Sequence, residues 1–444
     1  MAKDKKAAKE LTIEEKLSQA LVPVEEQPYK IPENWCWVHL CDSFNNYTNS
    51  RKKIQSKEYQ EKGKLAIVDQ GRELIGGYTD DESMAYSGEL PVIIFGDHTR
   101  CIKFIDFPFA QGADGVKVIE PKKFYDTKAF YYALQSIDIP NMGYRRHFSL
   151  FSQFAIPVPP FEEQCRIVDR IESIFSKLDE AKEKAQAVVD GFELRKSAIL
   201  HKAFTGELTN QWRADRGISL DNWKKKKLIE VLVDKPRNGY SPKPVDYKTS
   251  CKSMTLSATT SGYFREECFK YIDEKIDVSS YLWLKPGDIL IQRANSLDKV
   301  GTSAVFTGKE HEFIYPDLMM KLQVKKEEVS SQFIAYQIKT DQILQYLRKN
   351  ATGTAGNMPK INQKVVSSIP IICPSIEEQN LIVKYIEKLL SKEQQSKKLA
   401  ETVINQIDVM KKAVLARAFR GELGTNDLTE EAAIEVLKLI LQKE

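Results

Sequence analysis

Ala203-Phe-Thr-Gly-Glu-Leu208 and Ala418-Phe-Arg-Gly-Glu-Leu423 are one phrase written twice, 215 positions apart. Working backwards, Pro159-Pro-Phe-Glu-Glu-Gln164 matches Pro374-Ser-Ile-Glu-Glu-Gln379 at the same offset, so no insertion separates the two motifs in either copy. Further upstream, Gly143-Tyr-Arg-Arg-His-Phe148 leading to Ile156-Pro157 matches Gly356-Asn-Met-Pro-Lys-Ile361 leading to Ile369-Pro370. Asn34-Trp35 with Leu40 then resembles Asn222-Trp223 with Leu228. The chain is therefore an internal duplication. Each copy opens on an Asn-Trp, runs through a variable stretch and closes on Glu-Glu-Gln and Gly-Glu-Leu.

Between the two closing motifs the periodicity predicts one long helix per copy. In the first, Ile167, Ile171, Ile174, Leu178, Ala181, Ala185, Val188, Phe192 and Ile199 recur in steps of four and three, with Arg195 as the break. The second copy gives Ile382, Ile386, Leu389, Ala400, Val403, Ile407, Met410 and Val414, interrupted by Glu393 and Ser396. Two apolar seams that neither helix can leave in water are expected to pack on each other as an antiparallel coiled coil. Ser375 with Glu378 has the spacing of a capping box, and Pro159-Pro160 suits a helix start. Gly206 and Gly421 fit left-handed stop positions. A helix of about 40 residues spans roughly 60 Å.

In the variable stretches, short apolar runs lie between turn signals: Leu65–Val68, Leu90–Phe95 and Val116–Ile119 in the first, Asp288–Ile291, Ala304–Phe306 and Lys321–Val324 in the second. Helical patches follow at Ala129–Leu134 and Gln332–Leu347. The expected fold class is α+β, with two globular α/β domains separated by the two long helices. The expected partition is a helical N-terminal segment (1–30), a first globule (31–158), a central helix (159–208), a second globule (209–373), a C-terminal helix (374–424) and a helical tail (425–444). Thr12 with Glu15, and Thr429 before Ile434, mark helices in the flanking segments.

With 29% charged and 42% hydrophobic residues and no apolar run of membrane-spanning length, the chain reads as soluble and, lacking a secretory leader, cytoplasmic. Seven scattered cysteines without a C-x-x-C pair argue against a disulfide framework or a zinc site and read as reduced, mostly buried thiols. A net charge of +4 leaves a nucleic-acid partner to be decided by local patches. No phosphate-binding or cofactor glycine loop is present. Val158-Pro-Pro-Phe161 lacks the polar residue an adenine-methylating box needs, and in the stretch 316–325 Gln323 stands where a nuclease would place a metal-binding carboxylate. His39, His98, His147, His201 and His311 show no ligand spacing. No catalytic set and no metal site is expected.

Polar and basic loops are the better candidates. Tyr144, Arg145, Arg146 and His147 form one; Asn357, Lys360 and Asn362 form its counterpart in the second copy. Arg293, Asn295 and Lys299 follow a strand, with Arg100 in the corresponding place of copy one, and Arg237, Asn238 and Tyr240 make a further loop. Arginine and lysine hold phosphates and read guanine edges, and asparagine reads adenine, which is the chemistry of duplex recognition.

The repeated order of "NW", a globule of variable sequence, "P…EEQ", a long helix and "AF-x-GEL", with the "KIPENWCWVHL" opening (30–40) and the "GNMPKINQKVVSSIPI" exit (356–371), resembles the specificity subunit of type I restriction-modification enzymes. The resemblance spans nearly the whole chain. It implies two target recognition domains, each reading one half of a split double-stranded DNA site, spaced by the coiled coil. It further implies docking of two adenine-methyltransferase subunits and two restriction/motor subunits. S-adenosylmethionine, ATP and Mg would then be bound by those partners, with no cofactor on this chain and no catalysis by it. Two other readings stay open at this point: part of a combined enzyme that modifies DNA itself, or a coiled-coil adaptor without DNA readout.

Overall fold

The computed structural model describes residues 12–49, 51–113, 115–143, 145–353 and 358–443. The chain divides into two compact units, Met1–Ala185 with Thr402–Glu444, and Gln186–Glu401. Both boundaries fall inside the long helices, so each unit takes a globule from one copy and helix segments from both.

In the first unit the tryptophan motif opens a strand, Cys36–His39, that pairs antiparallel with Ala155–Val158, the strand preceding the helix. Phe44–Asn46, Val116–Pro121, Val92–Gly96 and Ile102–Ile105 form, in that order, an antiparallel four-stranded sheet. Gly77–Thr79, Leu65–Val68 and Phe109–Gln111 make a three-stranded sheet whose last pair is parallel. A helix, Thr127–Ser136, starts where the Asp126 carboxylate accepts the Lys128 and Ala129 N–H groups. Its buried face (Ala129, Phe130, Ala133, Leu134) packs into one core with Phe95, Phe151, Ile156, Ile167 and Ile171, closed by Leu415, Ala418 and Phe419 from the end of the second long helix.

The second unit repeats this plan. Lys224–Lys227 is a strand pairing with Pro370–Cys373, so the four-lysine run is one rung of a ladder, with Lys226 bonded to Glu328 at 2.8 Å. Arg237–Asn238, Met319–Leu322, Ile289–Gln292 and Ser303–Val305 form the four-stranded sheet. A second sheet runs Pro244–Val245, Phe269–Ile272, Cys251–Met254 and Phe313–Ile314, again ending in a parallel pair. The single helical patch expected over 332–347 is two helices, Ser331–Ile338 and Asp341–Lys349, broken at Lys339-Thr340. Leu200 and Ala203, from the end of the first long helix, close this core.

The first long helix runs Phe161–Asp190 and, past Gly191, Phe192–Phe204; the bonds Gly191 N–H to Ala187 O and Arg195 N–H to Gly191 O carry the ladder through the glycine. The second runs Ile376–Ala418. Within each unit the segments are antiparallel. Asp179 meets Lys411 (2.5 Å) and Lys182 meets Asp408 (2.9 Å) in the first unit, while Phe192 lies under Lys397 (4.9 Å) and Arg195 meets Glu393 (2.6 Å) in the second. The two polar interruptions, Arg195 and Glu393, are thus each other's partners.

Along the seam Ile167, Ile171, Phe192, Ile382, Ile386 and Ile407 are buried, and Ile174, Leu178, Val188 and Leu389 are half-buried. Val403 and Met410 are exposed, at 40% and 47%. Leu390, Ile404 and Lys411, one residue later, are the more buried at these three turns, while Ala400 and Ile407 keep the expected register, so the apolar stripe shifts locally. Gly206 (φ 82°) and Gly421 (φ 74°) both end their helices in the left-handed region. Thr12 and Glu15 form a full capping box. Thr429 does not cap the last helix (Ala433–Leu441); its hydroxyl bonds Asp427 instead. Cys36, Cys251 and Cys373 are buried, Cys101 and Cys268 half-buried, and Cys41 and Cys165 exposed, so burial holds for fewer thiols than expected. Among the described residues no helix is long and apolar enough to cross a membrane.

Candidate nucleic-acid interface

The repeated motifs meet in space, and that meeting fixes the loops above them. In the first unit the second glutamate of "EEQ", Glu163, is fully buried and accepts from Trp35 Nε1 (2.7 Å), Asn426 Nδ2 (2.7 Å) and Thr425 Oγ1 (3.1 Å). In the second, Glu378 accepts from Trp223 Nε1 (2.9 Å), Thr209 Oγ1 (2.7 Å) and Arg213 Nη1 (2.6 Å). Here the capping-box expectation needs correction. Ser375 Oγ does accept the Glu378 N–H (3.3 Å), but the Glu378 carboxylate turns inward, because Trp223 and Arg213 offer it charge-assisted bonds. The neighbouring glutamines act alike. Gln164 accepts from Asp126 N–H and donates to Phe124 O and Pro159 O; Gln379 accepts from Ser330 N–H and donates to Glu328 O and Pro374 O. Each glutamine ties the start of the globule's helix to the start of the long helix.

The candidate loops sit at the ends of the four-stranded sheets. In the first unit the turn after Val92–Gly96 carries Arg100, a left-handed residue (φ 61°) whose Nη1 donates to Ile139 O at 2.8 Å. Beside it runs the loop holding Arg145 and Arg146. His147 locks the two together. It is fully buried, its N–H and Nδ1 bond Asp97 O (2.8 and 2.9 Å), and its Nε2 accepts the Met142 N–H (3.1 Å), which places the ring proton on Nδ1. His147 is therefore a brace and cannot touch a ligand, contrary to its place among the candidates. Arg145 and Arg146 are exposed, and neither guanidinium has a hydrogen-bond or ion-pair partner among the described residues. Tyr144 lies outside the described residues.

In the second unit the structure joins most candidates into one cluster. The loop after Ile289–Gln292 is bridged to the loop before the last strand, with Ala294 opposite Lys360, Asn295 N–H on Pro359 O and Ile361 N–H on Arg293 O. Arg293 Nη1 donates to Asp317 O (3.2 Å), while its Nε is buried without a partner. Ser241 Oγ bonds both the Asp317 carboxylate and its N–H, and Tyr240 N–H bonds Tyr315 O, so the loop from Arg237 to Ser241 joins the same end of the sheet. Gly239 permits this approach: a Cβ there would lie 2.1 Å from Tyr315 O. Asn295 Nδ2 bonds Gln292 Oε1 (2.7 Å), Tyr240 is half-exposed with its hydroxyl on Glu274 (3.4 Å), and Asn238 Oδ1 is buried and unpaired. Arg237 is half-exposed, bonded to Asp234 and lying 5.0 Å from the Tyr281 ring centroid. The hydrogen bonds from Arg237 and from the Lys235 N–H hold the Asp234 carboxyl below its usual range. Lys299 is exposed, 3.4 Å from Asp298. Asn362 is exposed and caps the Gln363–Ser367 helix, its Oδ1 accepting the Val365 N–H (2.9 Å). Asn357 lies outside the described residues.

Sequence reasoning passed over two buried lysines that stiffen these ends. Lys103 donates to Asp69 O (2.8 Å) and Glu73 O (2.5 Å), and Lys321 donates to Tyr281 O (2.5 Å) and Trp283 O (2.9 Å), each with an aspartate 3.6 Å away. Burial pushes both amines below the usual lysine range. Lys103 lies on a strand of alternating burial and Lys321 on one buried throughout, and neither pattern names a loop partner. Among the described residues no group of side chains could hold a metal ion.

A family model, the type I restriction modification DNA specificity domain, matches residues 32–189 and 221–405. The specificity subunit of the type I restriction enzyme EcoKI of Escherichia coli K12 is 24% identical over 276 residues, 62% of this chain and 58% of that protein. That alignment thus spans less than two thirds of the relative's length. The EcoBI specificity subunit of Escherichia coli is 20% identical over 88% of this chain and 87% of its own. Among solved structures, the HsdS subunit of Thermoanaerobacter tengcongensis superposes with a TM-score of 0.55 at 17% identity, covering 90% of this chain and all of that one. A chain of a solved type I R-M system gives 0.62 at 17% identity over 89% of this chain and all of that one. With both copies matched in turn, the chain belongs to the family of type I restriction-modification DNA specificity proteins.

Proposed function

We propose that this chain is the non-catalytic DNA-specificity subunit of a type I restriction-modification complex, each globule reading one half of a bipartite double-stranded target. One observation carries the reading. In both units the turn after a central strand of the four-stranded sheet is locked against the loop before the closing strand, and the joined loops present arginine, lysine and asparagine: Arg100, Arg145 and Arg146 in one, Arg293, Asn295 and Lys360 in the other, with Arg237 on the neighbouring outer strand. Phosphate contacts from such groups position a duplex and base-edge contacts specify it. In this reading the paired helices set the spacing between half-sites. Two methyltransferase subunits and two restriction/motor subunits dock on the chain in the cytoplasm and bring S-adenosylmethionine, ATP and Mg.

Binding of the purified full chain to duplex DNA across a salt series tests it. Arg145→Gln with Arg146→Gln is expected to weaken binding and make the slope of log affinity against log salt shallower by about 2, since each lost phosphate contact removes about 0.9. Unchanged affinity and slope would refute the placement of DNA on this loop.

A further inference from the structure

The two reading ends differ in how their arginines are held. In the first unit Arg145 and Arg146 are exposed and uncommitted among the described residues. In the second, Arg237 is engaged. Its Nε and Nη2 both donate to Asp234 Oδ2 (3.0 Å for Nε), and the guanidinium lies over the Tyr281 ring. Both ion-pair partners are about half exposed, at 43% and 46%, so the pair stands at the surface and its members can separate without unfolding anything. Arg237 and Asn238 form the outer strand of the sheet that carries Arg293 just past Gln292; Arg237 stands opposite Lys321, its Asp234 pair lies toward the other end of the sheet, and the loop the strand enters is tied to Asp317, the residue whose carbonyl Arg293 binds.

Resting on the reading of this unit as a DNA reader whose surface extends along the outer strand, we propose that Asp234 is a specificity-determining gate. It occupies the donors of Arg237 and releases them only to a partner that offers acceptors able to replace a carboxylate. An exposed ion pair is weak, since solvent screens it, so it does not block a well-placed partner. It does cancel the attraction of Arg237 for a passing phosphate at the distances where non-specific binding is decided. Selectivity arises because the competing carboxylate subtracts from every complex, while only the correct duplex compensates with a bidentate contact. The replacing acceptors are a pair in the guanidinium plane, which a guanine edge provides through O6 and N7.

The test uses the full chain and three variants, Asp234→Asn, Arg237→Gln and the double variant, with duplex of random sequence and duplex carrying the methylated motif of the host genome. Asp234→Asn is expected to tighten random-sequence binding roughly 3- to 10-fold at low salt and to steepen the salt slope by about 0.9. The ratio of motif to random affinity should fall, and the double variant should lose the gain. A gain that persists in the double variant would refute the gate, because it would not pass through Arg237. Arg237→Gln weakening binding while Asp234→Asn changes nothing would also refute it and leave the DNA surface standing. Arg237→Gln without any effect would remove this end from the DNA surface altogether. Arg237→Gln is expected to relax one base position of one half-site; equal weakening of all sequences would identify a phosphate contact and refute the selectivity assigned to Asp234.

Discussion

Replacing Arg213 by alanine tests whether the buried carboxylate of the second "EEQ" is what closes the second unit. Arg213 and Glu378 have side chains only 5% and 2% exposed and are 2.6 Å apart. Without the guanidinium, Glu378 keeps two neutral donors, Trp223 Nε1 and Thr209 Oγ1, while Gly206 O loses the Nη2 donor at 2.6 Å. Removing one member of a buried ion pair costs about 3–5 kcal/mol, since the remaining charge stays out of water. For a unit of this size about 1 kcal/mol moves the midpoint by roughly 2–4 °C, so the second unit should melt roughly 6–20 °C lower. Two units need not unfold together, so hydrogen exchange followed by peptide is the suitable assay. Protection should fall in the segments around Thr209–Leu228 and Ile376–Leu390 and hold around Trp35 and Glu163, whose donors are neutral. Arg213→Met combined with Glu378→Gln should recover more than half the loss, because no lone charge remains. A change below about 1 kcal/mol in Arg213→Ala would refute the assignment.

Lys339 gives a pH signature. Its ammonium lies 5.1 and 4.9 Å from the rings of Tyr263 and Tyr336, and burial, with Lys196 nearby, pushes it down to about 8. The unfolded chain holds that proton until about pH 10.4. The unfolded state therefore binds more protons above pH 8, and the contribution of this group to stability rises with pH there. Lys339→Met should raise the denaturation midpoint at pH 7 and flatten the rise between pH 7.5 and 9.5; a variant no more stable than the parent at pH 7 would contradict this. For the helices, removing four residues, about one turn, from each at positions matched between the copies should change the spacer of the methylated DNA motif while leaving both half-sites intact. An unchanged spacer would remove the helices from the role of ruler.

The duplication, the long helices and their glycine stops were legible because they rest on period and spacing. So was the pairing of two seams, although the local shifts at Leu390, Ile404 and Lys411 were not. A one-residue slip that trades Val403 for Ile404 leaves the local apolar count nearly unchanged, and only the partner helix decides between them. The candidate loops were found by residue type. Type alone did not separate Arg145 and Arg146, which are exposed, from His147, whose buried ring is consumed by backbone bonds, or show that Asn362 Oδ1 caps a helix. The tryptophan, glutamate and glycine motifs were each visible as repeats. Their meeting was not, because it brings together residues far apart in the chain and, in both units, from different copies.

That meeting also separates what holds from what varies. The same indole-to-carboxylate bond closes a span of 128 residues in the first unit and 155 in the second. The loops at the sheet ends can change in length and sequence without altering these bonds, since among the described residues they contribute no atom to them. Each globule is thereby a cassette held at fixed terminals. A new cassette spliced between an Asn-Trp and the next Glu-Glu-Gln inherits its frame ready made, and recombination at these short shared words is a route by which such a chain can exchange one surface while keeping the other.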